Sequence, residues 1–235
     1  MLSTSGESTP LPIQAITHES TQLFPDASDL ILEDPILDCM RIGVGTTIID
    51  EQGRVLMLAH KKSDKCEEGA LGPMTETVKW TEHDGIAVPE STLHTMARGV
   101  REELGIHNGG RNPLRFRASR TNGWFIDKVP VGDDYPGLSV LAICTVVHIP
   151  SQTAERLVEN FEETNEIRSL SLMSREDIAA HDNFRSLARP ILRKVFQRGM
   201  QHLPPTEQLQ DVALPVQQVL TDSSDDIPRH LKLIR

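Results

Sequence analysis

From Met40 onward, apolar and polar residues alternate in a way that lays out a series of elements. RIGVGTTIID (residues 41–50) and RVLMLAHKK (residues 54–62) are β-like runs separated by Glu51, Gln52 and Gly53. Two such runs around a glycine-containing turn predict a hairpin. The stretch from Cys66 to Pro89 carries Gly69, Gly72, Pro73, Gly85 and Pro89, and reads mainly as loop with a short extended piece around Thr75 to Trp80. A helix is expected over Glu90 to Ile106. Further strands follow at Arg111 to Arg120, where Leu114 and Phe116 oppose Arg115 and Arg117 in parity, and at Thr121 to Ile126. Leu138 to Ile149 is almost continuously apolar, the mark of a strand buried on both faces.

Beyond it lie an acidic segment, a short strand near Arg168 to Met173, and a helix starting at Ser174. In Asn183 to Met200, residues Phe184, Leu187, Ala188, Ile191, Leu192, Val195 and Phe196 recur at helical spacing and form a core-facing stripe. Pro190 lies within that stretch, so a kink or the meeting of two helices is expected there.

Both ends differ in composition from this middle part. Residues 1–38 hold seven acidic side chains, Glu7 to Asp38, and no Lys or Arg, and they read as an acidic N-terminal extension whose second half docks on the domain or on a partner. Residues 39–198 form the domain. Residues 199–235 are a proline-broken C-terminal extension, within which Leu209 to Leu220 is expected to supply one more docked element. The exposed apolar segments of the extensions point to a homodimer.

Charge and cysteine usage narrow the function. With 24 basic against 34 acidic residues the net charge is −10, so no nucleic-acid partner is expected. An anionic substrate would then need a metal ion or a local basic cluster, for which Lys61, Lys62, Lys65, Arg115, Arg117 and Arg120 are candidates. Cys39, Cys66 and Cys144 are far apart and match no zinc spacing, which makes them free thiols. No apolar run is long enough for a membrane span, and the first residues lack a signal peptide's basic and apolar regions; a cytoplasmic protein with no membrane partner is expected.

The candidate chemistry sits on the helix at Glu90 to Ile106. Leu93, Met96, Ala97, Val100 and Leu104 share one face of it, and Ser91 or Glu90 can cap its start. Glu102 and Glu103 lie on the other side, with Gly99 three and four residues before them. Positions so spaced share a helix face, and carboxylates there suit Mg²⁺ or Mn²⁺, although an acidic face is also a common solvated surface.

RGVREELGI, residues 98–106, preceded by Glu90, resembles the signature of the Nudix hydrolases. Glu90, Arg98, Val100, Glu102, Glu103, Gly105 and Ile106 match that pattern in type and spacing. Two positions depart from it: Asp84 stands where the first glycine belongs, with Gly85 one place late, and Gly99 replaces the first glutamate of the metal-binding set.

The resemblance covers about residues 40–198 and implies an α/β fold, a Nudix-like α/β/α sandwich with a mixed central sheet, carrying the two extensions. It implies Glu102 and Glu103 as metal ligands for Mg²⁺ or Mn²⁺, an ion pair between Glu90 and Arg98, and Gly105 as the end of the helix. It also implies a further glutamate from a later loop, as ligand or general base, with Glu162, Glu163 and Glu166 as candidates. The implied reaction is attack of a metal-activated water on a diphosphate linkage of a nucleoside diphosphate joined to another group, a phosphate-containing small molecule.

Gly99 leaves three readings open. Another carboxylate, from Glu162, Glu163 or Glu76, replaces the lost ligand; or the substrate needs room there; or hydrolysis is lost and the chain is a nucleotide-binding or regulatory module. Trp80, Trp124, Phe125 and Tyr135 are candidates to stack on a base, or to be core.

Overall fold

A computed structural model describes residues 23–30, 39–63, 67–106, 114–130, 139–215, 223–228 and 232–233. Most of the N-terminal extension lies outside these, as do Lys65, Cys66 and Tyr135. Helix α1 is Ala27–Leu30. The strands that follow are β1 (Cys39–Asp50), β2 (Val55–His60), β3 (Leu71–Gly72), β4 (Met74–Thr77), β5 (Trp80–His83) and β6 (Ile86–Pro89), and helix α2 is Thr92–Glu102. After it come β7 (Phe116–Ser119), β8 (Trp124–Pro130), β9 (Ser139–Ile149), α3 (Ser151–Glu159), β10 (Ile167–Met173), α4 (Arg175–Ala180), α5 (Ala188–Gln197), β11 (Leu209–Val212) and β12 (Lys232–Leu233).

Among the described residues, the main sheet runs β10-β2-β1-β9-β7-β11, with β3 on β2, β4 on β1 and β8 on β9. β1 and β9 run parallel from Arg41 opposite Val140 to Asp50 opposite Ile149, whereas the other pairings in this sheet are antiparallel. The expected hairpin is present at its turn, where Ile49 opposes Val55. The strands then part. β4 takes up the same edge of β1, pairing Gly43–Thr46 with Thr77–Met74.

Side-chain alternation makes the sheet the middle of three layers. Leu141, Ile143 and Val147 of β9 join a cluster with Met96, Val100 and Leu104 from the α2 side, whereas Ala142, Cys144 and Val146 join Ile191, Leu192 and Val195 of α5. This is a mixed α/β sandwich, and β9 is buried on both faces as its composition required. Cys39 and Cys144 are both buried. Among the described residues, no helix is long and apolar enough to cross a membrane.

Two expectations are corrected. The stretch before α2 is mostly strand: β5 and β6 form a hairpin closed by Asp84 (φ 53°) and Gly85 (φ 74°), in a second small sheet with β12. Asp-Gly between alternating residues is the signal of such a two-residue turn. Pro190 neither kinks α5 nor divides it, because it lies in the helix's first turn, where its missing N–H has no intrahelical partner to lose. In the segment beyond residue 198, Leu209–Val212 pairs with β7 and completes the sheet edge.

His148 on β9 is buried opposite Arg117. Burial, then the Arg117 charge, lowers its pKa from 6.5 to about 4. The folded state therefore favours the neutral ring, and its contribution to stability is complete above pH 6.5 and lost as pH falls toward 4. His148→Gln is expected to flatten the fall of the urea midpoint across that window. A variant whose acid profile overlays the native one would refute this.

Candidate functional site

Helix α2 is fixed first by its start and by its apolar face. The Ser91 side chain accepts from the His94 amide at 3.3 Å, so serine rather than Glu90 is the cap. Met96, Ala97, Val100 and Leu104 are buried as their spacing required, and Leu93 packs at the cluster's margin. The helix ends at Glu102 with Glu103 as its C-cap, and Gly105 follows in the left-handed conformation at φ 68°.

Arg98 gathers the surrounding polar groups. Its guanidinium donates to Glu90 at 3.1 Å, to Glu76 on β4 and to the Thr77 carbonyl, and it lies 3.8 Å from Glu102. Glu90 also accepts from the Thr95 hydroxyl at 3.0 Å. The Glu90–Arg98 pair thus forms as the motif implies, and it ties the loop before α2 to the middle of the helix. Asp84, at the position of the motif's first glycine, adopts a left-handed conformation that aspartate tolerates.

The two adjacent glutamates have different surroundings. The Glu102 side chain is 40% exposed and pairs with Arg101 at 2.8 Å. Glu103 is 1% exposed, and its two carboxylate oxygens each lie 3.4 Å from the Thr75 amide. That is long for a hydrogen bond to a charged acceptor. Burial, then the neighbouring charge of Glu76, raises its pKa well above the ordinary carboxylate range. Glu76 is pushed up to about 7, first by burial; the Glu102 and Glu166 charges add to this, while Arg98 opposes it. A nearby cation would reverse the cost of keeping both groups charged.

Of the later glutamates, Glu162, Glu163 and Glu166 are all exposed on the loop before β10. Glu163 pairs with Lys61 at 3.2 Å. Glu166 is the one whose charge bears on both Glu76 and Glu103. Lys61 also donates to the Thr164 carbonyl at 2.6 Å, so this lysine braces the loop. Arg115 and Arg120 are exposed, and Arg117 lies 3.9 Å from Asp211 at the β7–β11 edge. Trp80 and Phe125 are core residues.

Arg185, not singled out by any sequence pattern, belongs to this neighbourhood. It donates to the Thr75 hydroxyl at 2.8 Å, lies 3.3 Å from His60 Nε2, and its charge lowers the pKa of Glu103. It reaches the site because its amide is held by the Leu71 carbonyl, a contact between distant parts of the chain. A cavity of about 480 Å³ lies elsewhere, between α4 and α5, lined by residues that include Ile178, Phe184 and Phe196.

An all-carboxylate donor set suits Mg²⁺ or Mn²⁺. Among the described residues, no three His, Cys, Asp or Glu side chains are already gathered as a ligand set. The fit rests on Glu103, buried and without an ion pair within 4 Å among the described residues, and on the open Glu102 side chain beside it.

No protein-family model and no curated protein matches the chain. Solved structures that do include a MutT protein from Methanosarcina mazei Go1, 19% identical over 69% of this chain and 97% of that one, with a TM-score of 0.46. The Nudix domain of Shewanella oneidensis NrtR, in complex with ADP ribose, is 10% identical over 73% and 97%, with a TM-score of 0.41. A C. elegans Ap4A hydrolase is 11% identical over 68% and 98%, with a TM-score of 0.43. These are solved structures to which the chain is similar; its own fold is a mixed α/β one with a large mixed sheet.

Because Arg98 compensates buried carboxylates, removing it leaves them unpaired. At pH 8, Arg98→Met is expected to lower the unfolding free energy by about 3–5 kcal/mol in urea titrations. A loss below about 1 kcal/mol would mean that the cluster is solvated.

Proposed function

We propose that the protein is a divergent Nudix-type pyrophosphohydrolase that cleaves a diphosphate linkage in a nucleoside diphosphate joined to a further group, using Mg²⁺ or Mn²⁺. The observation that carries this reading is Glu103: a carboxylate held almost wholly out of water, at the position of a motif ligand, without a close cationic partner among the described residues. A buried charge of that kind is costly unless something compensates it.

A divalent cation bound there would lower the pKa of the attacking water and neutralise phosphate charge. Glu102 and Glu103 would hold it. Glu166, exposed on the loop before β10, would take the proton from water as its oxygen bonds to phosphorus. The bridging P–O bond breaks, and the departing phosphate keeps the electron pair. Glu163 shares the loop, but its pairing with Lys61 suits it to positioning. Arg185 brings positive charge to the Glu103 side of the site.

The test is release of nucleoside monophosphate, followed by chromatography, from a panel of nucleoside diphosphate compounds carrying different further groups, with and without Mn²⁺. Turnover is expected only with the metal, and Glu103→Gln should lower kcat by about a hundredfold or more. Thermal stabilisation by a panel compound without turnover would instead favour a nucleotide-binding module. Metal-independent release, or a fully active Glu103→Gln, would sink the hydrolase reading.

A further inference from the structure

We infer that the groove between helices α4 and α5 is a binding site for a small organic anion, one whose apolar chain or ring lies on the groove floor and whose carboxylate or phosphate meets the arginines at its rim. The groove is separate from the carboxylate cluster, because α5 packs on the face of the main sheet opposite α2.

Spacing along the two helices carries the argument. Ile178 of α4 and Leu192 of α5 are buried at the groove, and Phe184 and Phe196 beside them are only partly covered. Arg175, Arg189 and Arg193 also line it, and no Asp or Glu does. On a helix, side chains three or four residues apart are neighbours. Those of Arg175 within α4 are Ile178 and Ala179, and those of Arg193 within α5 are Arg189, Pro190, Phe196 and Gln197, so neither guanidinium finds a carboxylate on its own helix. Arg189 is engaged by Asp182 at 3.2 Å, whereas Arg175 and Arg193 have no carboxylate within 4 Å among the described residues.

Charge complementarity sets the occupant. Residues 183–202 hold five Lys or Arg and no Asp or Glu, in a chain whose net charge is −10. Arg189 and Arg193 stand four residues apart, a spacing at which like charges repel unless an anion offsets them. The aromatic walls hold two of the guanidinium groups: Arg175 lies over Phe196, 5.8 Å from the ring centroid, and Arg189 over Phe184 at 5.1 Å. A guanidinium resting on a ring face keeps the N–H groups at its edge available, and that edge matches a carboxylate or a phosphate equally well. The cavity, about 480 Å³, is of the size that small molecules occupy. If the arginines were only a solvated rim, the groove would take neutral and anionic molecules of one shape equally.

Calorimetric titration of the full chain, in buffer free of divalent metal, with octanoate, octyl phosphate, octanol and octylamine separates head from tail. At least one of the two anions is expected to bind about tenfold or more tightly than octanol and octylamine, and the tighter of the two identifies the head group. The same head on a butyl chain should bind about tenfold or more weakly, because methylenes are lost from the apolar floor. Arg175→Gln and Arg193→Gln change exposed positions, with native-like near-ultraviolet circular dichroism as the control for folding. Each is expected to weaken anion binding by about fivefold or more and to leave octanol unchanged. Equal affinity for the anions and octanol, or anion binding that survives both substitutions in one chain, would overturn the inference. So would the absence of binding by either anion to the native chain. Metal and the carboxylate cluster take no part in these measurements, so failure of the hydrolase reading would leave their outcome unchanged.

Discussion

One guanidinium sets the position of everything around the site. Arg98 reaches the loop before its own helix through Glu90, and reaches β4 through Glu76 and the Thr77 carbonyl. The apolar face of α2 supplies the drive for docking, but apolar contact is non-directional and tolerates sliding. A planar fork that must meet three acceptors does not, and a lysine, with its three donors on a single atom, would lack the fork. Once Arg98 is seated, Glu103 faces the Thr75 amide and Gly99 lies against Glu76 and Met74. The positions of the acidic groups follow from this registry.

The same constraint explains why burial and charge are so unevenly divided. Glu102 remains in contact with water, while its neighbour Glu103 turns under β4, because the helix ends between them. Three carboxylates draw on Arg98, and Arg185 donates to the Thr75 hydroxyl of β4. Arg98 and Arg185, distant in sequence, thus offset part of a cluster that stays acidic on balance, in a protein with a net charge of −10.

What could be read in the sequence was whatever depends on near neighbours. Period-two alternation located β1, β2 and β7, the apolar run located β9, and helical spacing located α2 and α5. Asp84 and Gly85 also carried a local signal, that of a tight hairpin, and with it β5 and β6 were open to prediction. Pro190 showed the limit of a residue rule applied without position: its effect depends on whether a helix starts just before it. The parallel pairing of β1 with β9 and the joining of β11 to β7 are contacts between remote segments, which no local pattern encodes. Likewise, the Glu90–Arg98 pair followed from motif spacing, whereas the contacts of Glu76 and Arg185 arise only once β4 and the segment before α5 are folded against the helix.

The contact between Gly99 and Glu76 also bears on how this chain can change over time. A side chain at 99 and a glutamate at 76 compete for one volume, so the two positions are not independent, and the effect of a substitution at either depends on the other. A side chain at 99 fits only where Glu76 or Met74 gives way, so a substitution there has to be judged in pairs with its neighbours and not singly.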